Sequence, residues 1–254
     1  MTTRAERARS FGSIADEYNR LRPPPAPGAV NWLVPPGAEV IIDLAAGTGL
    51  LTRALAQRVA KVIAVEPDQR MAAVLLACSP GIEVVAGVGE SIPLQSASAD
   101  GLFISSAFHW MDPELAVPEI ARVLKDGGQF GMIWTARDRM TSWVQEMDAF
   151  SDVAGNPQEP GRPRRRNQEV KLPEGSPFGE PEITSFTYER TMALDDVVAM
   201  VATYSRVITA TQQDRDAVLG WLRSELTSRF PGAARIDVPI RSLAWRAGRL
   251  PRPR

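Results

Sequence analysis

The chain has 254 residues, 44% of them apolar and 23% charged, which is ordinary globular composition and enough length to bury a core. Twenty-nine basic against thirty acidic side chains leave a net charge of −1, so no bulk positive field exists to hold nucleic acid or an anionic membrane. A single cysteine, Cys78, excludes an intramolecular disulfide and, with a single histidine, His109, argues against a Cys/His zinc site.

Residues 4–21 carry Ala8, Phe11, Ile14, Ala15, Tyr18 and Leu21 at helical spacing, and Pro23, Pro24 and Pro25 stop that helix. From 39 to 135, short β-branched runs alternate with helical stretches. Strands are expected at 39–44, 61–66, 82–86, 100–105 and 128–135, and helices at 50–59, 68–78 and 113–124. Strands that are apolar on both faces belong inside a parallel sheet covered by helices, so the fold class is α/β and doubly wound. Asp126-Gly127-Gly128 suits a tight turn into the fifth strand. Residues 155–181 read as a surface loop, since ten of the 27 are Gly or Pro and nine are charged, including Arg164-Arg165-Arg166. A strand is expected at 182–190, helices at 194–203 and 212–228 and a last strand near 237–246, with a tail to Arg254 that frays. No apolar run approaches the ~18 residues of a membrane span, and residues 1–22 are too charged for a signal peptide, so a cytoplasmic protein is expected.

The segment Val40 to Gly49 carries the chemistry. A buried strand runs into the small-residue loop Asp43-Leu44-Ala45-Ala46-Gly47-Thr48-Gly49 and then into a helix. Gly47 and Gly49 let the backbone approach a ligand, and the helix start offers unpaired N–H donors; a tight strand–helix turn without a ligand has the same look. Glu66 ends the second strand seventeen residues after Gly49, where a carboxylate can accept bonds from both hydroxyls of a ribose. A dinucleotide site wants a third small residue where Thr52 stands, and a pyrophosphate would be repelled by Asp43 at the mouth of the loop. A cationic nucleoside would be attracted there. S-adenosylmethionine, with its sulfonium and α-ammonium groups, matches that charge better than NAD does.

On these residues the sequence resembles the class I S-adenosylmethionine-dependent methyltransferases of the type 11 group, and within it the branch similar to trans-aconitate methyltransferase. The likeness covers roughly residues 8–135. It implies that Asp43, Ala45, Ala46, Gly47, Thr48 and Gly49 hold the methionine part, Glu66 the ribose, and Pro67, Met71, Val88, Gly89 and Glu90 the adenine, with Ser105 at the end of the fourth strand completing the cofactor set. The run Phe11 to Pro24, with Tyr18 and Arg20, resembles that branch's N-terminal lid, and Ala107 to Trp110 is another of its marks. Two positions depart from the pattern: Ala45 replaces the first glycine, and Val88 replaces an aspartate that contacts the adenine amine in many relatives. The resemblance also implies a mostly parallel, seven-stranded Rossmann-like sheet whose last strand is antiparallel. The expected organisation is a lid helix at 1–28, a cofactor-binding core at 29–136, a cap at 137–230 and the last strand and tail at 231–254.

Methyl transfer is an in-line displacement in which the protein mainly positions the acceptor and excludes water. The expected acceptor is a small molecule methylated at a carboxylate or hydroxyl oxygen, leaving S-adenosylhomocysteine. A hydroxyl would need a base, for which His109 is the catalytic candidate; the alternative is a structural histidine orienting its loop. A macromolecular substrate, a non-catalytic nucleoside binder and an NAD-dependent reductase are the competing readings. Ser105-Ser106-Ala107-Phe108, in place of an Asp/Asn-Pro-Pro-Tyr run, speaks against methylation of nucleic-acid bases. Cys78 is expected in the core, and Trp143, Trp221 and Trp245 in core or cap packing rather than in a cofactor box.

Overall fold

In the computed structural model, residues 10–154 and 170–251 are described. Seven strands form one sheet in the order β3-β2-β1-β4-β5-β7-β6, with helices on both sides. The strands are β1 (Val40–Leu44), β2 (Lys61–Val65), β3 (Glu83–Val85), β4 (Ala99–Ser105), β5 (Leu124–Arg137), β6 (Glu182–Ala193) and β7 (Arg235–Gly248). Strands β1 to β5 pair in parallel. β7 runs antiparallel to β5: the Asp138 N–H donates to Pro239 O at 2.7 Å and the Arg249 N–H to Gly128 O at 2.8 Å. The expected seven-stranded doubly wound sheet is therefore present.

The chain divides into two compact units. The larger comprises Pro24–Thr135, Lys171–Phe186 and Arg241–Arg254. Ile41, Ile42 and Leu44 of β1 are wholly buried, as are Ala64 and Val65 of β2 and Leu102 and Phe103 of β4. This is the burial that continuously apolar strands require. Around them lie α2 (Pro27–Leu33), α3 (Leu50–Ala56), α4 (Gln69–Cys78) and α5 (Pro113–Val123). Asp68 caps α4, accepting from the Arg70 and Met71 N–H groups, and Asp112 caps α5, accepting from Glu114. Helix α2 has no counterpart among the expected elements. Its Pro27 occupies the first turn, where a missing N–H costs nothing, and Ala29, Val30 and Leu33 are fully buried.

The smaller unit comprises Met1–Pro23, Ala136–Val170 and Thr187–Ile240. It holds α1 (Ala15–Leu21), preceded by a 3-10 turn at Ser10–Ile14, then α6 (Ser142–Ala154), α7 (Leu194–Ala202), α8 (Ser205–Ile208) and α9 (Gln212–Arg229). Its core joins Leu21, Met147, Val197, Met200, Val201, Leu222, Leu226, Val238 and Ile240. No helix of the described residues is long and apolar enough to cross a membrane.

Several expectations are corrected. Strand β5 begins four residues early, because Asp126-Gly127-Gly128 forms not a turn before the strand but an irregularity within it: Ala99 pairs with Leu124 and Gly101 with Gln129, with Gly127 at φ 75° between. Cys78 is exposed rather than in the core; α4 stops there, and Ser79 is the residue that turns inward. The tail is pinned at its start, where the buried Arg249 donates through Nη1 to Leu124 O at 2.7 Å and to Asp126 Oδ1 at 2.8 Å. The end of the expected loop packs as well, with Phe178 bridging Arg249 and its ring 5.2 Å from Phe130. Residues 155–169, with Arg164–Arg166, and 252–254 lie outside the described residues, as does the stretch before residue 10. The tryptophans pack as expected: Trp245 is buried with its ring 5.3 Å from Phe130, Trp143 stands edge-on to Phe230, and Trp221 lies against the smaller unit's core.

Candidate functional site

The strand order reverses at β1, which lies between β2 and β4, and the carboxyl ends of parallel strands at such a reversal are where open α/β sheets receive ligands. Asp43 sits in this place with its side chain fully buried, level with Ala64 of β2 and Phe103 of β4. Thr52 Oγ1, in the first turn of α3, donates to Asp43 Oδ2 at 2.6 Å. The other oxygen, Oδ1, is buried without a hydrogen-bond partner. Burial pushes the Asp43 carboxyl up to about 7; the Thr52 hydroxyl opposes this, and the Glu66 charge adds to it.

The loop after β1 turns through three left-handed residues, Ala45 at φ 55°, Gly47 at 59° and Gly49 at 82°. A Cβ added at Gly49 would meet Leu75 Cγ at 2.7 Å, so this glycine serves packing against α4. A Cβ added at Gly47 would meet nothing within 4 Å, so the backbone there borders open space. Thr48 is buried with its hydroxyl unpartnered, and its carbonyl accepts from Arg53 Nη1 at 2.8 Å. The Ala46 N–H donates to Val65 O, tying the loop to the end of β2.

Glu66 follows β2 and is nearly buried. Its Oε2 accepts from the Gly47 N–H at 2.7 Å and its Oε1 from the Asp68 N–H at 2.8 Å. Burial raises the Glu66 carboxyl above its ordinary range, and those two N–H groups pull the other way. Pro67 is exposed beside it, and Met71 is buried on α4. Beyond β3, Val88 is exposed, and Gly89 is buried so tightly that an added Cβ would meet Met111 Sδ at 2.5 Å. Glu90 Oε1 accepts from the Asp112 N–H at 2.8 Å and so fixes the start of α5.

Ser105 ends β4, and Ser106 after it is left-handed at φ 54°. His109 lies on the short 3-10 turn Phe108–Trp110, exposed, with its ring 4.5 Å from that of Trp110. Asp43, Ala45 to Gly49, Glu66, Pro67, Met71, Val88 to Glu90, Ser105 and His109 thus all belong to the larger unit. Tyr18 and Arg20 belong to the smaller one, on α1, where Arg20 pairs with Asp196 at 2.6 Å.

Thr52 and Asp68 are missing from the residues expected by sequence. By sequence Thr52 stands only as the wrong residue for a third glycine, yet its hydroxyl orients Asp43. An Asp ahead of a helical run is a capping signal, and Asp68 both caps α4 and fixes Glu66 through its N–H.

The model of a methyltransferase domain matches residues 42–132, the stretch that holds this crevice. An uncharacterized methyltransferase of Mycobacterium tuberculosis is 36% identical over 232 residues, 91% of this chain and 91% of that one. A further uncharacterized methyltransferase, from Schizosaccharomyces pombe, is 26% identical over 96% of this chain and 98% of its own. Among solved structures, that of a type II methyltransferase candidate from Anaeromyxobacter dehalogenans superposes with a TM-score of 0.67 at 23% identity, covering 91% of this chain and 99% of that one, a likeness of fold. With 36% identity to the mycobacterial relative along nine-tenths of both chains, and with the sheet order described above, the protein belongs to the class I S-adenosylmethionine-dependent methyltransferases.

Proposed function

We propose that the enzyme methylates a small molecule at a carboxylate or hydroxyl oxygen, with S-adenosylmethionine held where β1 and β2 end. One observation carries the cofactor placement: Asp43 Oδ1 is a buried carboxylate oxygen with no partner, at the mouth of a loop whose Gly47 borders open space. A buried carboxylate in need of a counter-charge fits a cationic ligand and repels an anionic one. When bound, the cofactor supplies the methyl group and a thioether leaving group.

The chain's own residues then do the positioning. Asp43 faces the positive end of the cofactor, with Ala45, Ala46, Thr48 and Gly49 shaping the loop beside Gly47. Glu66 keeps lone pairs free beyond its two N–H bonds and can accept from ribose hydroxyls. Pro67, Met71, Val88, Gly89 and Glu90 border the adenine, Ser105 lies beside the cofactor at the end of β4, and Tyr18 and Arg20 belong to the closing lid. A carboxylate acceptor needs no base; for a hydroxyl acceptor, His109 takes the proton. The absence of a base-methylating run after β4, the net charge of −1 and the resemblance of Phe11–Pro24 and Ala107–Trp110 to the trans-aconitate methyltransferase-like branch support a small acceptor.

Titration calorimetry tests the placement. S-adenosylhomocysteine should bind the native protein with micromolar affinity, and Glu66→Ala should weaken it tenfold or more. Unchanged affinity in that variant refutes the site. Assaying methyl transfer to panels of carboxylic acids, phenols, RNA and protein then decides the acceptor class, and transfer confined to RNA or protein refutes the small-molecule reading.

A further inference from the structure

The smaller unit gathers guanidinium groups around one buried aspartate and one tyrosine ring. Arg137, the last residue of β5, has a side chain with no exposed surface. Its Nη2 donates to Asp148 Oδ1 on α6, and Asp148 Oδ2 accepts from Arg139 Nε at 2.5 Å. One carboxylate is thus shared between two guanidinium groups. Arg137 Nε and Nη1 remain buried without a hydrogen-bond partner. The Oδ1 of the adjacent acid, Asp138, accepts from the Met140 N–H.

A third guanidinium belongs to the same cluster. The Arg22 Cζ lies 4.6 Å from the centroid of the Tyr204 ring and 5.1 Å from that of Tyr18, and the Arg137 Cζ lies 5.8 Å from the Tyr204 centroid. No carboxylate among the described residues pairs with Arg22. Arg22 and Arg137 thus share one aromatic ring, and Arg137 shares Asp148 with Arg139. Aromatic faces attract cations but cannot satisfy N–H donors. Burial works against the charge on Arg137, while Tyr204 and Asp148 more than offset it, so the group stays a cation. Arg22 and Tyr204 are only partly buried, so the cluster extends from the interior to the surface.

We infer that Arg137, Arg22 and Tyr204 form a binding site for the oxyanion of a small molecule, a carboxylate or a phosphate. Orphaned guanidinium donors in a low-dielectric setting are what such a group satisfies, since Arg presents fixed, planar donors to planar or tetrahedral oxyanions. The ring of Tyr204 lies against both Arg22 and Arg137, and Tyr204 favours the charged form of Arg137. Asp148 offsets part of the charge of Arg137 and Arg139. This site goes beyond the cofactor placement and stands or falls separately from it.

The test is calorimetry and thermal shift on the full-length protein at constant ionic strength, with succinate, citrate and inorganic phosphate as probes and chloride as the control. Saturable binding by a carboxylate or by phosphate, at submillimolar Kd, is expected and identifies which oxyanion the site takes. Arg137→Gln and Arg22→Gln should each weaken it at least tenfold. Where Arg137→Gln fails to fold, Arg22→Gln, at a partly exposed position, decides the matter. No saturable binding to the native protein, or native affinity in Arg22→Gln, overturns the site. A parallel titration with S-adenosylhomocysteine distinguishes this from a failure of the cofactor placement.

Discussion

Replacing Asp43 with asparagine is expected to stabilise the protein at alkaline pH while weakening its hold on the cofactor. The carboxyl titrates near 3.8 in an unfolded chain and is pushed up to about 7 in the folded one, with burial as the main cause. Below 3.8 it is neutral in both states and costs nothing. Between the two values the unfolded chain has released the proton and the folded chain has not, so stability falls as pH rises; above about 7 it levels off. At ~1.4 kcal/mol per pH unit, the accumulated penalty is about 4 kcal/mol. Asparagine can still accept from Thr52 and is neutral throughout. Urea unfolding should therefore give Asp43→Asn a gain of about 4 kcal/mol at pH 8 but less than about 2 kcal/mol at pH 5. At ~2–4 °C per kcal/mol, the Tm at pH 8 rises by about 10 °C. A variant no more stable than the native protein at pH 8, or one with equal gains at both pH values, refutes the reasoning.

Thr52→Val removes the hydroxyl that favours the charged form of Asp43. A bond to a charged group is worth about 1.5–3 kcal/mol, so the pH midpoint for cofactor affinity should move up by about one to two units, read by calorimetry from pH 6 to 9. Ala45→Gly relieves a left-handed alanine at φ 55° and should add about 1 kcal/mol, a Tm rise of about 2–4 °C by calorimetric scan. Gly47→Ala and Gly49→Ala both strain the backbone, but the second also drives a methyl into Leu75. Gly49→Ala should cost about 2–4 kcal/mol in urea and Gly47→Ala about 1–2 kcal/mol. Gly47→Ala should nonetheless lose more affinity for S-adenosylhomocysteine, because its methyl enters the open space beside the loop.

The parallel half of the sheet was legible because β1, β2 and β4 are buried on both faces and leave unbroken apolar runs, and because Asp43 and Glu66 stand where those runs end. Bonds between side chains distant in sequence leave no such trace. Nothing in a threonine nine positions after an aspartate announces that its hydroxyl holds that aspartate. Helix α2 was hidden by the prolines ahead of it, which read as a stop, although Pro27 is compatible with a first turn. The exposure of Cys78 could not be read from helical spacing, because position 78 continues the stripe of Met71 and Leu75 but falls where the helix ends. The charge cluster around Arg137 was equally invisible: an arginine at the end of a strand is ordinarily solvated, and only packing reveals that this one is not.

Glu66 also bears on which nucleotides the crevice turns away. Glycine-rich turns at the head of a helix normally keep their amide hydrogens for a diphosphate. In this protein the hydrogen on Gly47 is already committed to a glutamate from the neighbouring strand end, 2.7 Å away, and an aspartate sits at the same mouth. A pyrophosphate arriving there would find the donor occupied and two acids opposing it. Discrimination against dinucleotides is therefore present before any ligand enters, and would persist even if a third small residue were engineered at position 52.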